Sequence, residues 1–170
     1  MRIFTIGHGT RPADELIECL TEAGVQTLVD VRRFPGSRRH PQFNREALEC
    51  TLEEAGIAYR HAEGLGGRRS GGAEFDCIRI AAFRGYAAWM RSEEFAAALA
   101  AALAEPEPCF MCAETLWWQC HRRLIAELLH ARGHEVVHLL RLRHVERHRV
   151  WEPISETRDS VLYLCGERVA

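Results

Sequence analysis

Three segments of this chain repeat one local grammar: an amphipathic run, a glycine, then a short β-rich stretch. Residues 15–24 lead into Thr27-Leu28-Val29-Asp30-Val31, residues 46–56 into Ile57-Ala58-Tyr59, and residues 124–133 into Val136-Val137-His138-Leu139. A glycine just past an amphipathic run supplies the left-handed cap that ends a helix, and helix, cap and strand in that order form the returning half of a βαβ unit. Parallel strands need such crossovers, so the repeat restricts the chain to the α/β class. Ile3–Ile6 and Cys109–Met111 read as two further strands. The expected fold is three-layer and Rossmann-like, a mostly parallel sheet of about five strands with helices on both faces.

Helix starts agree with this grammar. Pro12 with Asp14 and Glu15 reads as a first turn, Asn44 as an N-cap before Arg45-Glu46, and Ser92-Glu93-Glu94 as the opening of an Ala-rich helix. Between Ala62 and Phe83 lies a long aperiodic segment with five glycines around Arg68-Arg69. Loops of that length in a compact domain are commonly lids, and this one is expected to be a lid. At 170 residues the chain is one domain of ordinary size. Residues 1–140 are expected to form it, with 141–170 a C-terminal extension packed on the same domain. In that extension the basic run Arg141–Arg149 reads as a solvated helix face, with an anion-binding surface as the competing reading, and Val161–Cys165 as a terminal strand.

Composition narrows the function. All 22 basic side chains are Arg, so no Lys Schiff base or Walker-type Lys exists, and every fixed cation is a planar guanidinium suited to phosphate or carboxylate. A net charge of −2 argues against a broad nucleic-acid-coating surface, so any anion site is local. No apolar run approaches the ~18 residues needed to span a bilayer, and no leader-like segment opens the chain. No membrane association is expected, and the expected location is cytoplasmic. Seven Cys without a secretory signal read as free thiols, reactive thiols or ligands rather than a disulfide framework.

In an open parallel sheet, ligands bind where loops and helix N-termini converge at the strand carboxyl ends. The first strand ends in Gly7-His8-Gly9-Thr10, and the second in Asp30 followed by Arg32-Arg33 and Arg38-Arg39. The third ends in His61 and the glycine-rich segment, and the fourth in Cys112-Ala113-Glu114, with Cys120-His121-Arg122-Arg123 opening the next helix. Cys120, at a helix start beside His121 and Arg122, is set to favour its thiolate. Cys112 leaves a buried strand toward the same rim, with Glu114 or His8 as general base or acid. Cys109 and Cys112 form a C-x-x-C inside a strand, where three-residue spacing sends the thiols to opposite faces, which excludes a thioredoxin-like role. Adjacent Cys120 and His121 chelate one ion poorly, so a metal centre is the lesser reading and no metal ligands are assigned. Trp117-Trp118 reads as a loop anchor in preference to a stacking platform.

These motifs together resemble the family catalogued as domain of unknown function 488. The resemblance rests on Thr5-Ile6-Gly7-His8, on Val29-Asp30-Val31-Arg32 with Phe34-Pro35-Gly36-Ser37-Arg38-Arg39 and Pro41-Gln42-Phe43-Asn44, on Phe83-Arg84-Gly85-Tyr86, and on Met111-Cys112-Ala113-Glu114 with Cys120-His121-Arg122. It spans about residues 3–140. Family members often carry Ser after the His where this chain has Gly9. The resemblance implies that the strand-end residues form the family's site, but names no substrate. The layout of strand, Cys, loop and Arg-bearing helix is also similar to rhodanese-like and Cys-phosphatase architectures.

The expected site has Cys112, Glu114, Cys120 and His8 in catalytic roles, and Arg32, Arg38, Arg39, Arg84, His121 and Arg122 binding an anion. The expected function is an enzyme, a thiol-dependent hydrolase or transferase, on a phosphate-bearing small molecule or nucleic acid, with no cofactor assigned. The alternatives are a non-catalytic nucleotide or nucleic-acid binding module and a Cys/His metal protein.

Overall fold

The computed structural model describes residues 1–170. Five parallel strands form the centre of one sheet: β1 (Arg2–Gly7), β2 (Thr27–Asp30), β3 (Ala58–His61), β4 (Pro108–Cys112) and β5 (Glu135–Arg141), with β6 (His144–Arg147) antiparallel beside β5. The spatial order is β3-β2-β4-β1-β5-β6. β4 and β1 are buried along almost their whole length, the mark of strands covered on both sides.

Five helices connect these strands: α1 (Ala13–Glu22), α2 (Arg45–Glu54), α3 (Ala81–Trp89), α4 (Glu93–Leu103) and α5 (Arg122–Ala131). Two apolar clusters divide them. Leu16 and Leu20 of α1 and Leu48 and Leu52 of α2 pack with Phe4, Ile6, Cys109 and Met111. Phe83, Tyr86, Phe95, Leu99, Leu124 and Leu128 from α3, α4 and α5 pack with Ile3, Val29, Phe110 and Cys112. The period-2 alternation of β4 thus sends Cys109 and Cys112 to different clusters, as the strand spacing predicts.

This arrangement creates a crevice. β1 and β4 are neighbours, yet β1 continues into α1 in one cluster and β4 into α5 in the other. Their following loops diverge, leaving open space at the strand carboxyl ends, which is where ligands sit in such sheets.

Helix starts follow local chemistry. Pro12 precedes α1, and Ser92 Oγ accepts the Phe95 N–H at the start of α4. Asn44 precedes α2, but its side-chain Oδ1 accepts the Ser37 N–H at 2.6 Å instead of capping the helix, tying the Arg38–Arg39 loop to the helix start.

The tail differs from the helix-face expectation. Residues 141–147 supply the turn and the second strand of the β5–β6 hairpin, turning at Arg143 with φ +57°. Val161–Leu164 is β8, the middle strand of a separate antiparallel sheet with β7 (Ser155–Arg158) and β9 (Glu167–Arg168), and not a strand of the main sheet. Leu162, Leu164 and Val169 bury against the α5 side of the larger cluster.

The glycine-rich segment is better fastened than a free lid. Phe75 and Ile78 are fully buried, the Arg69 guanidinium lies 3.6 Å from the Trp89 ring centroid, and Arg84 donates to the Ile78 carbonyl at 2.9 Å. A disulfide joins Cys77 to Cys165, so the free-thiol expectation holds for five cysteines and not for these two. The reason is tertiary: the segment folds back against the small sheet, which brings together residues 88 positions apart. No helix is long and apolar enough to cross a membrane.

Candidate functional site

A crevice of about 720 Å³ opens at the carboxyl ends of β1, β2 and β4. His8, Arg32, Arg39, Cys112, Glu114, Cys120 and His121 line it, so most of the expected site residues meet there. Arg38 is exposed and Arg84 is turned to the Ile78 carbonyl, and neither reaches the lining. Arg122 lies directly behind the lining, 1 % exposed.

The floor is a pair of sulfurs on one guanidinium. Cys112 ends β4, and Cys120 stands two residues before α5, where its sulfur accepts the Arg122 backbone N–H at 3.3 Å. The two Sγ atoms are 3.0 Å apart, and Arg122 Nε donates to both, at 2.9 Å to Cys112 and 3.3 Å to Cys120. The rest of the guanidinium is also satisfied: Nη1 donates to Thr5 Oγ1 at 3.2 Å, and Nη2 to the Glu114 carbonyl at 2.5 Å. A buried cation requires a counter-charge, and the thiol pair is the one in reach. Burial by itself raises a thiol, but the hydrogen bond from Cys112 and the adjacent guanidinium overcome it and bring Cys120 down to about 6. Cys112, buried and donating to that thiolate, is pushed well above the ordinary thiol value. The pair therefore holds one proton and one negative charge.

The backbone had to come close for this geometry. A Cβ on Gly7 would sit 1.8 Å from the Glu114 carbonyl oxygen and 2.8 Å from Arg122 Nη2, so only glycine fits at the end of β1. Gly9, the position where the resemblance expects Ser, has φ +52° with Thr115 Oγ1 beneath it.

Arg32 has a different role from anion binding. Its Nε and Nη2 are taken by the fully buried Asp30, at 2.8 Å and 2.5 Å, and its Nη1 donates to the Phe43 carbonyl at 2.8 Å. Tyr59 also donates to Asp30, at 2.8 Å. Residues i and i+2 share a side of an extended chain, so the spacing of Asp30 and Arg32 was a readable signal for this pair. The next residue, Arg33, faces the crevice instead. Arg33, Arg39 and Arg68 are the cations on the lining not matched to a carboxylate, and Glu114 is its one acid. Phe34, 60 % exposed, lies between Arg33 and Arg68, whose guanidinium carbons are 5.4 and 6.0 Å from its ring centroid. No local pattern separates Arg33 from Arg32 or Arg68 from Arg69, since each pair differs only in the direction its side chains take, and Phe34 carries no ionisable group to mark it.

Of the three histidines on the lining, His8 and His121 are buried neutral and held in fixed orientations. His8 stacks on Phe43, its Nδ1 faces the Gly9 carbonyl at 2.9 Å, and Arg32 Nη1 points at its Nε2 at 3.3 Å. Both ring nitrogens are engaged, and burial with Arg32 lowers its pKa to about 4. His121 donates from Nε2 to the Val31 carbonyl at 3.0 Å, which leaves Nδ1 an acceptor without a hydrogen-bond partner; burial lowers its pKa to about 4 as well.

Behind the site a second buried network leads away from it. Thr5 Oγ1, already accepting from Arg122, is 2.7 Å from His138 Nδ1; His138 Nε2 is 3.1 Å from His148 Nδ1; and His148 Nε2 is 3.3 Å from Glu127 Oε1. Burial, then His148 and Arg122, lower His138 to about 2, so it is the neutral link that passes hydrogen bonds along. Trp117 stacks on His138 at 4.2 Å and donates to Glu146, while Trp118 is outward. Neither Trp lines the crevice, in keeping with the anchor reading. No group of three or more His, Cys, Asp or Glu side chains stands together as a metal site would require.

A family model described as domain of unknown function DUF488 matches residues 12–129. That span contains Asp30, Arg32, Cys112, Glu114, Cys120 and Arg122. No curated protein and no solved structure matches the chain. The family match covers more than half of the chain, and the protein belongs to the DUF488 family.

Proposed function

We propose that this protein is a thiol-dependent hydrolase or transferase acting on a phosphate-bearing substrate, a nucleotide or related ester, in a Rossmann-like, cytoplasmic domain. The observation that carries the reading is the thiol pair held on the buried Arg122 at the floor of a crevice rimmed by Arg33, Arg39 and Arg68. Cys120 is the nucleophile: it stands just before α5, its sulfur accepts both the backbone N–H and the Nε of Arg122, and it is the more exposed of the pair. Cys112 keeps the shared proton and Arg122 holds the thiolate, which makes Arg122 a positioning residue and not a substrate clamp. The rim guanidiniums bind the phosphate oxygens and the charge that develops on them. Glu114 and His121, whose Nδ1 has no hydrogen-bond partner, are the acid–base groups on the lining, and His8, with both nitrogens engaged, fixes the floor.

The test is turnover of a panel of nucleotides and phosphate esters by the wild type and by Cys120→Ser, Glu114→Gln and Arg68→Ala. The reading expects loss of turnover with Cys120→Ser and a raised KM with Arg68→Ala. The rim cations favour one second reading, a non-catalytic binding module; salt-sensitive binding that survives Cys120→Ser with no turnover of any ester supports it and refutes the enzyme.

A further inference from the structure

A disulfide requires sulfurs about 2.05 Å apart, and the Cys112 and Cys120 sulfurs already stand at 3.0 Å, about 1 Å from bonding. Both residues line the floor of the crevice, so a small reagent that enters it reaches them. Arg122 Nε contacts both sulfurs and keeps them facing each other. None of the other free cysteines has a thiol neighbour within hydrogen-bond reach: Cys19 and Cys109 are buried in the opposite cluster, and Cys50 is exposed on α2.

We propose that this pair is an oxidative modification site for hydroperoxides, at which Cys120 is oxidised and Cys112 closes a reversible Cys112–Cys120 disulfide. In the first step the Cys120 thiolate sulfur attacks the outer oxygen of the hydroperoxide. The S–O bond forms and the O–O bond breaks; sulfur gives up two electrons and becomes a sulfenic acid, and the departing alkoxide, or hydroxide from hydrogen peroxide, takes a proton from solvent. In the second step the Cys112 sulfur attacks the Cys120 sulfur. The S–S bond forms, the S–O bond breaks, and hydroxide leaves with the Cys112 proton as water. Thiolate, thiol, hydroperoxide and one solvent proton thus yield disulfide, alcohol and water. An external dithiol returns the pair by exchange.

Oxidation removes the thiolate and leaves Arg122 without its counter-charge, so the same step switches off the nucleophile of the proposed reaction. The chemistry itself needs no phosphate substrate. A mass readout therefore stands or falls apart from the proposed function.

The test uses the full chain with the Cys77–Cys165 bond intact, exposed to hydrogen peroxide or tert-butyl hydroperoxide, then denatured and alkylated with iodoacetamide. Tryptic cleavage after Arg91 and Arg122 places Cys109, Cys112 and Cys120 in one fragment, residues 92–122. The expected result is loss of two hydrogens from that fragment with alkylation at Cys109 alone, reversal by dithiothreitol, and oxidation several-fold faster than that of Cys50. Cys112→Ser is expected to stop at a sulfenic acid on Cys120 that dimedone captures. The proposal is overturned if the wild-type fragment still alkylates at all three cysteines, if Cys120 accumulates sulfinic acid without a disulfide, or if the new bond involves Cys109. The wild-type spectrum alone decides between these, whether or not the variant folds.

Discussion

Replacing Cys120 with Ser should remove a rise of stability with pH that the wild type shows on the alkaline side of neutrality. In the fold the Cys120 thiol is lowered from 9.0 to about 6, so between those values the unfolded chain binds a proton that the folded chain has released. Stability increases with pH wherever the unfolded state binds more protons, with a slope of about 1.4 kcal/mol per pH unit for one proton. The contribution is full above the unfolded value and is lost as pH falls through the folded one. Over three units it amounts to about 4 kcal/mol, a substantial fraction of the stability of a domain this size. Above the unfolded thiol value the sign reverses: Cys112, Cys109 and Cys19 are all held protonated by burial while their unfolded counterparts ionise. The wild type is therefore expected to gain stability from pH 7 to a maximum between about pH 8 and pH 9, whereas the variant shows no rise and declines toward pH 9. Urea denaturation followed by tryptophan fluorescence, in oxygen-free buffer, measures both curves, and thiolate absorbance in the ultraviolet gives the titration directly. Parallel curves for the two proteins between about pH 7 and pH 9 would refute the charge assignment to Cys120.

On the acid side, His8, His121 and His138 are buried neutral, with values near 4, 4 and 2. Their contribution is present above the unfolded value of 6.5 and is lost below it as the unfolded chain takes up protons, so stability should fall by about 3 to 4 kcal/mol per pH unit between roughly pH 6 and pH 4; a shallow acid limb in the same urea titrations contradicts the buried-neutral assignment. Asp30→Asn leaves the Arg32 guanidinium buried without its counter-charge and is expected to destabilise by about 3–5 kcal/mol, which equilibrium unfolding measures. Cys165→Ala opens a loop of 88 residues, worth about 4–5 kcal/mol of unfolded-chain entropy, and should lower the unfolding free energy by a comparable amount, and Tm with it, under non-reducing conditions only. His148→Asn keeps a polar partner for His138 Nε2, whereas His148→Leu does not, so nitrogen chemical shifts of His138 should hold the wild-type tautomer in the first and change in the second.

The elements that sequence reading located correctly are those whose signal is local. Amphipathic runs closed by Gly24, Gly56 and Gly133 gave three helix–strand returns, all realised as α1–β2, α2–β3 and α5–β5. Where the pattern depended on a distant partner the reading went astray. Arg141–Arg149 carries little apolar alternation, and its residues up to Arg147 became the turn and second strand of the β5–β6 hairpin because β5 presents a free edge for pairing. The 66–80 segment has no periodicity, yet Phe75 and Ile78 are core residues, since the small C-terminal sheet and α3 enclose them.

The same division runs through the candidate site. The strand-end argument brought His8, Arg39, Cys112, Glu114, Cys120 and His121 to one crevice, because in a parallel α/β sheet chain order dictates which loops share a rim. What each cation does was beyond reach of that argument. Arg32 is consumed by Asp30, Arg84 by a loop carbonyl and Arg122 by two sulfurs, leaving Arg33, Arg39 and Arg68 for an anion.

The sequence by itself determined the α/β class, the rim on which the chemistry-bearing residues gather, and the absence of any Lys. Periodicity, capping glycines and residue identity act within a few positions and survive in any tertiary context. Only the tertiary structure decided how the proton and the charge are shared between Cys112 and Cys120, which guanidiniums are free, and that Cys77 meets Cys165. Those outcomes depend on contacts between residues up to 117 positions apart, as with Arg122 and Thr5, and on burial that no local pattern encodes.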